Sequence, residues 1–188
     1  MKSIMLAILF IVCGCEMNQS KNGNEGEDGR FEHMKTYKGQ CCCGNICFEA
    51  KGEPLFTQYC HCNKCRKVAS DSKNPADKKG YGFTAAYLTN NFEITEGKDK
   101  LTSIVCNSAR LYLCSQCRAL IYGISEDPEK QGGIGINANN FQFVEGTPAS
   151  FEPVRHVWYK NRIIDFDDNL PKFKDSPKEQ FGTGELFQ

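Results

Sequence analysis

The stretch that decides how this chain reads is Cys60-His61-Cys62-Asn63-Lys64-Cys65. Cys62 and Cys65 have the two-residue gap of a zinc knuckle, and Cys60 sets a third thiol beside them. Two further clusters lie either side. Upstream stands Gly39-Gln40-Cys41-Cys42-Cys43-Gly44; downstream stands Cys114-Ser115-Gln116-Cys117, a second two-residue gap at the end of an expected strand. In a regular strand Cys41 and Cys43 share one face, Cys42 points away, and Gly44 lets the backbone turn at once.

Seven thiolates do not complete two tetrahedral sites; they divide as four plus three. A structural zinc takes four protein ligands, and a catalytic one keeps three with one place open. Cys41, Cys43, Cys114 and Cys117 form the expected closed site. Cys60, Cys62 and Cys65 form the expected open, catalytic one, for two zinc ions per chain. Sulfur ligands favour zinc over magnesium or calcium. The spacing argues more firmly for metal than for this partition. His61 stands between two ligands and is expected to point away from the ion. Cys47 and Cys106 have no metal-like neighbours and read as small buried hydrophobes.

Composition agrees with a folded metal domain. Cysteine is the outlier, at 12 in 188 residues; hydrophobic residues make up 40% and charged residues 24%, enough for a core. Lysine plus arginine and aspartate plus glutamate are both 23, so charge gives no reason to expect a nucleic-acid partner. Ten cysteines follow residue 33, an even number that five disulfides would consume. Cysteines one or two residues apart pair poorly, and the run 41–43 is hard to bridge, so metal is the preferred reading.

Around the clusters the pattern is β-rich. Runs at 46–50, 55–59, 82–88, 92–95, 101–105 and 110–113 fit short strands, with turn chemistry at Asn90-Asn91 and at 96–99. One short helix is expected at 63–69, followed by a charged loop over 71–80. The expected fold class is mainly β, one domain over residues 36–175, with a C-terminal tail at 176–188.

Residues 1–15 read as a signal-like or lipoprotein-like leader. Lys2 precedes an apolar run over 4–12, too short to span a bilayer, and Cys15 closes a lipoprotein-type box at 12–15. Residues 16–35 read as a polar, flexible tether. The expectation is an exported chain, possible membrane anchoring through Cys15 included. A conventional signal, or a cytoplasmic protein starting at Met34, are the alternatives.

Taken in order, Gly39–Gly44, Cys60–Lys67 and Cys114–Cys117 resemble the glutathione-dependent formaldehyde-activating enzyme family, which includes the centromere protein V domain. The stretch 134–141, His156-Val157-Trp158 and Asp167-Asp168-Asn169-Leu170-Pro171 extend the likeness, so it covers about Tyr37 to Pro171. The resemblance implies a β-tent of small sheets around a structural zinc. It also implies the four-plus-three division, and carbon–sulfur lyase chemistry on a thiol–aldehyde adduct such as S-hydroxymethylglutathione. Arg118 departs from the pattern, because the family usually places glycine there, and either a distorted knuckle turn or a strained backbone is the expected result. Export would place the chain where glutathione is scarce.

Arg66 and Lys67 follow the open cluster and are candidates to hold a substrate carboxylate, against the simpler reading of solvated charges. His156, Trp158 and Tyr159 read as core packing rather than pocket lining. Asp165, Asp167 and Asp168 read as a solvated acidic turn. Two other functions compete with the enzyme: a structural zinc scaffold without turnover, and a protein- or chromatin-binding module, for which the chain lacks a basic extension.

Overall fold

Strand β1 (Thr36–Gln40) buries Tyr37 and Gly39 and exposes Thr36 and Lys38, the period-2 pattern of a half-buried strand. It pairs antiparallel with β2 (Cys47–Lys51), setting Gly39 opposite Phe48. The structure, a computed structural model, describes residues 34–106 and 108–188. The leader, nearly all of the tether, and Cys15 lie outside the described residues.

Gly39 has a steric reason. A Cβ built there would stand 2.1 Å from the far tip of the Phe48 ring, which is itself buried. β2 also pairs with β5 (Phe92–Glu96), completing a three-stranded sheet in the order β1-β2-β5.

The second sheet has seven strands, in the order β10-β3-β4-β9-β8-β7-β6. Its members are β3 (Phe56–Cys60), β4 (Gly82–Leu88), β6 (Leu101–Cys106), β7 (Ala109–Cys114), β8 (Leu120–Ser125), β9 (Gly133–Asn137) and β10 (His156–Val157). All neighbours run antiparallel except β10, which lies parallel to β3 with Val157 beside Cys60. The chain is thus mainly β and a single domain, as expected, with sheets of three and seven strands.

The core lies between the sheets. Tyr37 and Phe48 meet Tyr87, Ile134, Ile136, Phe141 and Phe151 there, and Cys41, Cys114 and Cys117 belong to the same buried cluster. Phe141 packs edge-on to Phe48 and Phe151, with ring centroids 5.2 and 4.8 Å apart.

Helix α1 (Asn63–Asp71) starts at Cys62, whose sulfur accepts the Cys65 amide at 3.3 Å and so caps the first turn. It runs half a turn beyond the expected 63–69 and ends where Ser72 turns extended. Its buried residues are Val68 and Ala69.

The loop that follows is not merely charged surface. Asp77 is buried, accepting from Ser72 Oγ at 2.7 Å and from the side-chain amides of Asn137 and Asn139 at 3.0 Å each. Such a buried carboxylate is tolerated because neighbouring donors satisfy both oxygens.

The C-terminal stretch is structured against the rest. Phe173 pairs with Leu186, and the Phe187 amide donates to the Lys172 carbonyl at 2.6 Å. The Phe187 ring packs edge-on to Tyr159 at 5.4 Å.

Candidate metal centre

The sulfurs of Cys41, Cys43, Cys114 and Cys117 all lie within 4.8 Å of one another. Two spacings are closer still: 3.4 Å between Cys41 and Cys43, and 3.6 Å between Cys43 and Cys114. Zinc–sulfur bonds of about 2.3 Å at tetrahedral angles place sulfurs roughly 3.8 Å apart, so the four fit a closed zinc site. All four are free thiols, and three are fully buried in the core.

Cys41 and Cys43 do not reach this geometry by strand alternation. β1 ends at Gln40, and the cysteines occupy a turn in which the Gly44 amide donates to the Cys41 carbonyl at 2.8 Å. Gly44 follows at φ 72°, the left-handed region glycine enters freely. Cys42 is exposed and lies outside the group. The turn is anchored from the far side, where the Cys41 amide donates to the Ile46 carbonyl at 3.0 Å.

The second pair sits in the matching knuckle after β7. There the Arg118 amide donates to the Cys114 carbonyl at 2.9 Å, and the Cys114 amide donates to the Ala119 carbonyl at 3.0 Å. Closing this turn places Arg118 at φ 61°, the strained conformation expected where glycine is missing. Its guanidinium has no hydrogen bond or ion pair among the described residues.

The electrostatics suit a cation. Burial pushes the Cys41 thiol up to about 11 and raises Cys117 further. Cys43 feels burial too, yet the Asn45 backbone amide and the neighbouring thiols bring it down to about 7. Four crowded thiols cannot all ionise unaided, and a divalent ion that displaces their protons resolves the conflict.

The second group brings Cys60, Cys62 and Cys65 together, again with all sulfurs within 4.8 Å. Among the described residues no histidine or carboxylate joins them. Cys60 ends β3 and is buried; Cys62 and Cys65, at the start of α1, are half-buried and face solvent in part. The Cys62 thiol is held far below the ordinary range. Hydrogen bonds from Cys60 and then Cys65 lower it against burial, and backbone amides of the first helical turn assist. Cys60 is pushed up to about 12, by its hydrogen bond to Cys62 first and by burial as well. The donor set, three thiols with no fourth ligand among the described residues, fits zinc with an open position.

Close packing holds this group against the sheet. Gly82, paired with Cys60, has no side chain, and a Cβ there would stand 3.1 Å from the Cys65 Cβ. The two centres are also joined through the backbone: the Lys73 amide, just past α1, donates to the Cys117 carbonyl at 2.8 Å.

The neighbourhood of the open group corrects several expectations. His61 does stand outside the sulfur group, but it is not idle. It is buried, and its Nε2 lies 2.9 Å from His156 Nδ1. His156 Nε2 in turn lies 2.9 Å from Asp168 Oδ2, and Lys172 Nζ donates to Asp168 Oδ1 at 2.7 Å. Asp168 is therefore not a solvated residue of an acidic turn. Burial opposes its charge, but the Lys172 and His156 bonds win and lower its pKa.

Asp165 and Asp167 are exposed as expected, although Asp165 also pairs with Arg162. Of the late aromatic trio, His156 and Tyr159 are buried, but Trp158 is 37% exposed and is not core. Cys47 is buried as expected, whereas Cys106 is only half-buried.

Arg66 and Lys67 line a groove of about 500 Å³ with Asn63, Ser70, Lys78 and Ile163. Arg66 Nη2 donates to Asn63 Oδ1 at 2.6 Å, while its Nε is buried without a hydrogen-bond partner among the described residues. Lys67 is well exposed and pairs with Asp71 at 3.5 Å. The sequence offered one signal for the missed Asp168 pairing, namely Lys172 four residues on. The His61–His156 contact spans 95 residues and left no local trace.

A crystal structure of a Rhodobacter sphaeroides protein, a Northeast Structural Genomics target, is similar at 18% identity and a TM-score of 0.46. The match covers 64% of this chain and 99% of that one. No curated protein matches the chain. The model of the family described as glutathione-dependent formaldehyde-activating enzyme matches residues 36–161, a span that contains both sulfur groups and their glycines. With the three cysteine clusters in place and more than half of the chain matched, this protein belongs to the glutathione-dependent formaldehyde-activating enzyme family.

Proposed function

We propose that the chain is a carbon–sulfur lyase that interconverts a hydroxymethyl thioether with its thiol and formaldehyde. The observation that carries this reading is the three-sulfur group at the start of α1, which has no fourth protein ligand among the described residues. Cys60, Cys62 and Cys65 would hold zinc there, and Cys41, Cys43, Cys114 and Cys117 would hold a structural ion.

In the cleavage direction the carbon–sulfur bond breaks and sulfur leaves with the bonding pair. The hydroxyl oxygen loses its proton as the carbonyl forms, and one proton returns to the thiolate. Zinc, when bound, supplies a Lewis acid for the negative charge on that sulfur or oxygen. With Cys60, Cys62 and Cys65 as its donors, such an ion would acidify water only weakly, which would favour thiolate exchange over attack by hydroxide.

The protein's own groups would bind and orient. Arg66, one residue past Cys65, offers its guanidinium to a substrate carboxylate in the groove beside α1. Lys67 adds positive charge at the rim. A thiol that carries a carboxylate, glutathione included, has the chemistry this groove selects. If the leader exports the chain, another carboxylate-bearing thiol takes glutathione's place.

The test is metal analysis, thiol titration and turnover together. The wild-type protein is expected to hold two zinc ions per chain, and Cys62→Ala one. The cobalt-substituted protein should change its absorption when thiol is added. NMR exchange between the hydroxymethyl adduct and free thiol should accelerate with wild type and not with Cys62→Ala. Two ions retained in Cys62→Ala would overturn the site assignment. Two ions in wild type without thiol binding or turnover would make the domain a structural scaffold.

A further inference from the structure

His61 lies between two candidate ligands, so whatever fixes residue 61 also fixes the sulfurs on either side. Its backbone is fixed by β10, its amide donating a hydrogen bond to the Val157 carbonyl at 3.0 Å. Its ring is fixed by His156, at 2.9 Å. His156 is held on both flanks, its amide donating to the Pro171 carbonyl at 2.8 Å and its carbonyl accepting the Phe173 amide at 2.9 Å. Asp168 and Lys172 complete the chain.

Hydrogen-bond roles along this chain follow from its far end. An ionised carboxylate only accepts, so His156 Nε2 carries the hydrogen. Neutral His156 then offers a lone pair at Nδ1, and His61 Nε2 must donate into it. Both rings are thus locked in tautomer and rotation. Tyr59, Tyr81, Tyr159 and Phe166 wall them in, with ring centroids 4.6–5.9 Å from one imidazole or the other.

We infer that His156 and Asp168 are positioning residues for the open site. They hold His61 so that Cys60 and Cys62 keep the spacing a metal ion requires, and they ligate nothing themselves. The inference rests on the reading of Cys60, Cys62 and Cys65 as an ion site. Groups that orient metal ligands commonly contribute 10–100-fold to metal affinity, which sets the expected scale.

The test is competition for zinc by a graded chelator, with the full chain loaded. Wild type should release its two ions in separate steps. In His156→Leu, which cannot accept from His61 or donate to Asp168, the open-site ion should leave at roughly 10–100-fold lower chelator strength. The closed-site ion should be unmoved. His156→Gln keeps an acceptor and a donor and should recover part of the loss, which a general packing defect would not allow. Asp168→Asn, nearly the same shape, should weaken the same ion less.

Unchanged release of both ions from folded His156→Leu would overturn the inference. So would parallel loss of both ions, or equal loss in His156→Leu and His156→Gln. A wild type that binds a single ion would instead defeat the open-site reading on which the inference stands.

Discussion

Replacing Arg118 with glycine should stabilise this protein. Arg118 sits at φ 61° so that the knuckle carrying Cys114 and Cys117 can close. The left-handed region costs a residue with a Cβ about 1–2 kcal/mol. Against this, glycine adds roughly 0.5–1 kcal/mol of backbone entropy to the unfolded chain. No hydrogen bond or ion pair of the guanidinium is lost, because none exists among the described residues. The net expectation is a gain of about 0.5–1 kcal/mol. For a domain of this size that raises the melting temperature by roughly 1–4 °C. Thermal unfolding with zinc in excess reads it directly, and chelator competition should show the closed-site ion held at least as tightly. A melting temperature lowered by Arg118→Gly would refute the claim that this residue stores strain.

Three other outcomes are expected. Gly39→Ala drives a methyl into the Phe48 ring at 2.1 Å and should cost about 1–3 kcal/mol in urea titration; a neutral result would mean the ring is free to move aside. His61 is pushed down to about 4, by burial first and by the adjoining His156 ring, which resists a second charge beside it, next. The unfolded chain therefore binds the extra proton between pH of about 6.5 and 4, so stability is flat above that window and falls through it by about 3 kcal/mol. Comparing wild type with His61→Gln by denaturant titration at both ends isolates that term, and equal slopes would refute it. Arg66→Ala should raise KM roughly tenfold for a carboxylate-bearing thiol and leave mercaptoethanol unaffected; equal effects on both would remove Arg66 from substrate binding.

What could be read from the sequence was local. The run 82–88 has strand composition between turns, and β4 occupies Gly82–Leu88. The cysteine gaps are ligand spacings in themselves, so both sulfur groups were legible before any geometry. β8 escaped notice, and β9 was marked only through the family likeness over 134–141, because Gly123, Gly133 and Gly135 dilute their strand character. Two of these glycines have a packing reason: a Cβ at Gly123 would meet Leu111 at 2.8 Å, and one at Gly135 would meet Thr84 at 3.0 Å. Asp77 and Asp168 misled for another reason. A carboxylate in a charged stretch looks solvated until the fold delivers donors, here Asn137 across 60 residues and His156 across 12.

The long span of the four-sulfur group also orders the protein's synthesis. Cys43 and Cys114 stand 71 residues apart, so the first half-site leaves the ribosome with two thiols and must wait for the rest of its donors. At roughly 5–20 residues per second, that wait lasts several seconds. The three sulfurs of the open group emerge almost together, yet His156, which anchors His61, follows 95 residues later. The nascent chain therefore passes through an interval in which it presents clustered, unclosed thiols to any soft metal or oxidant nearby.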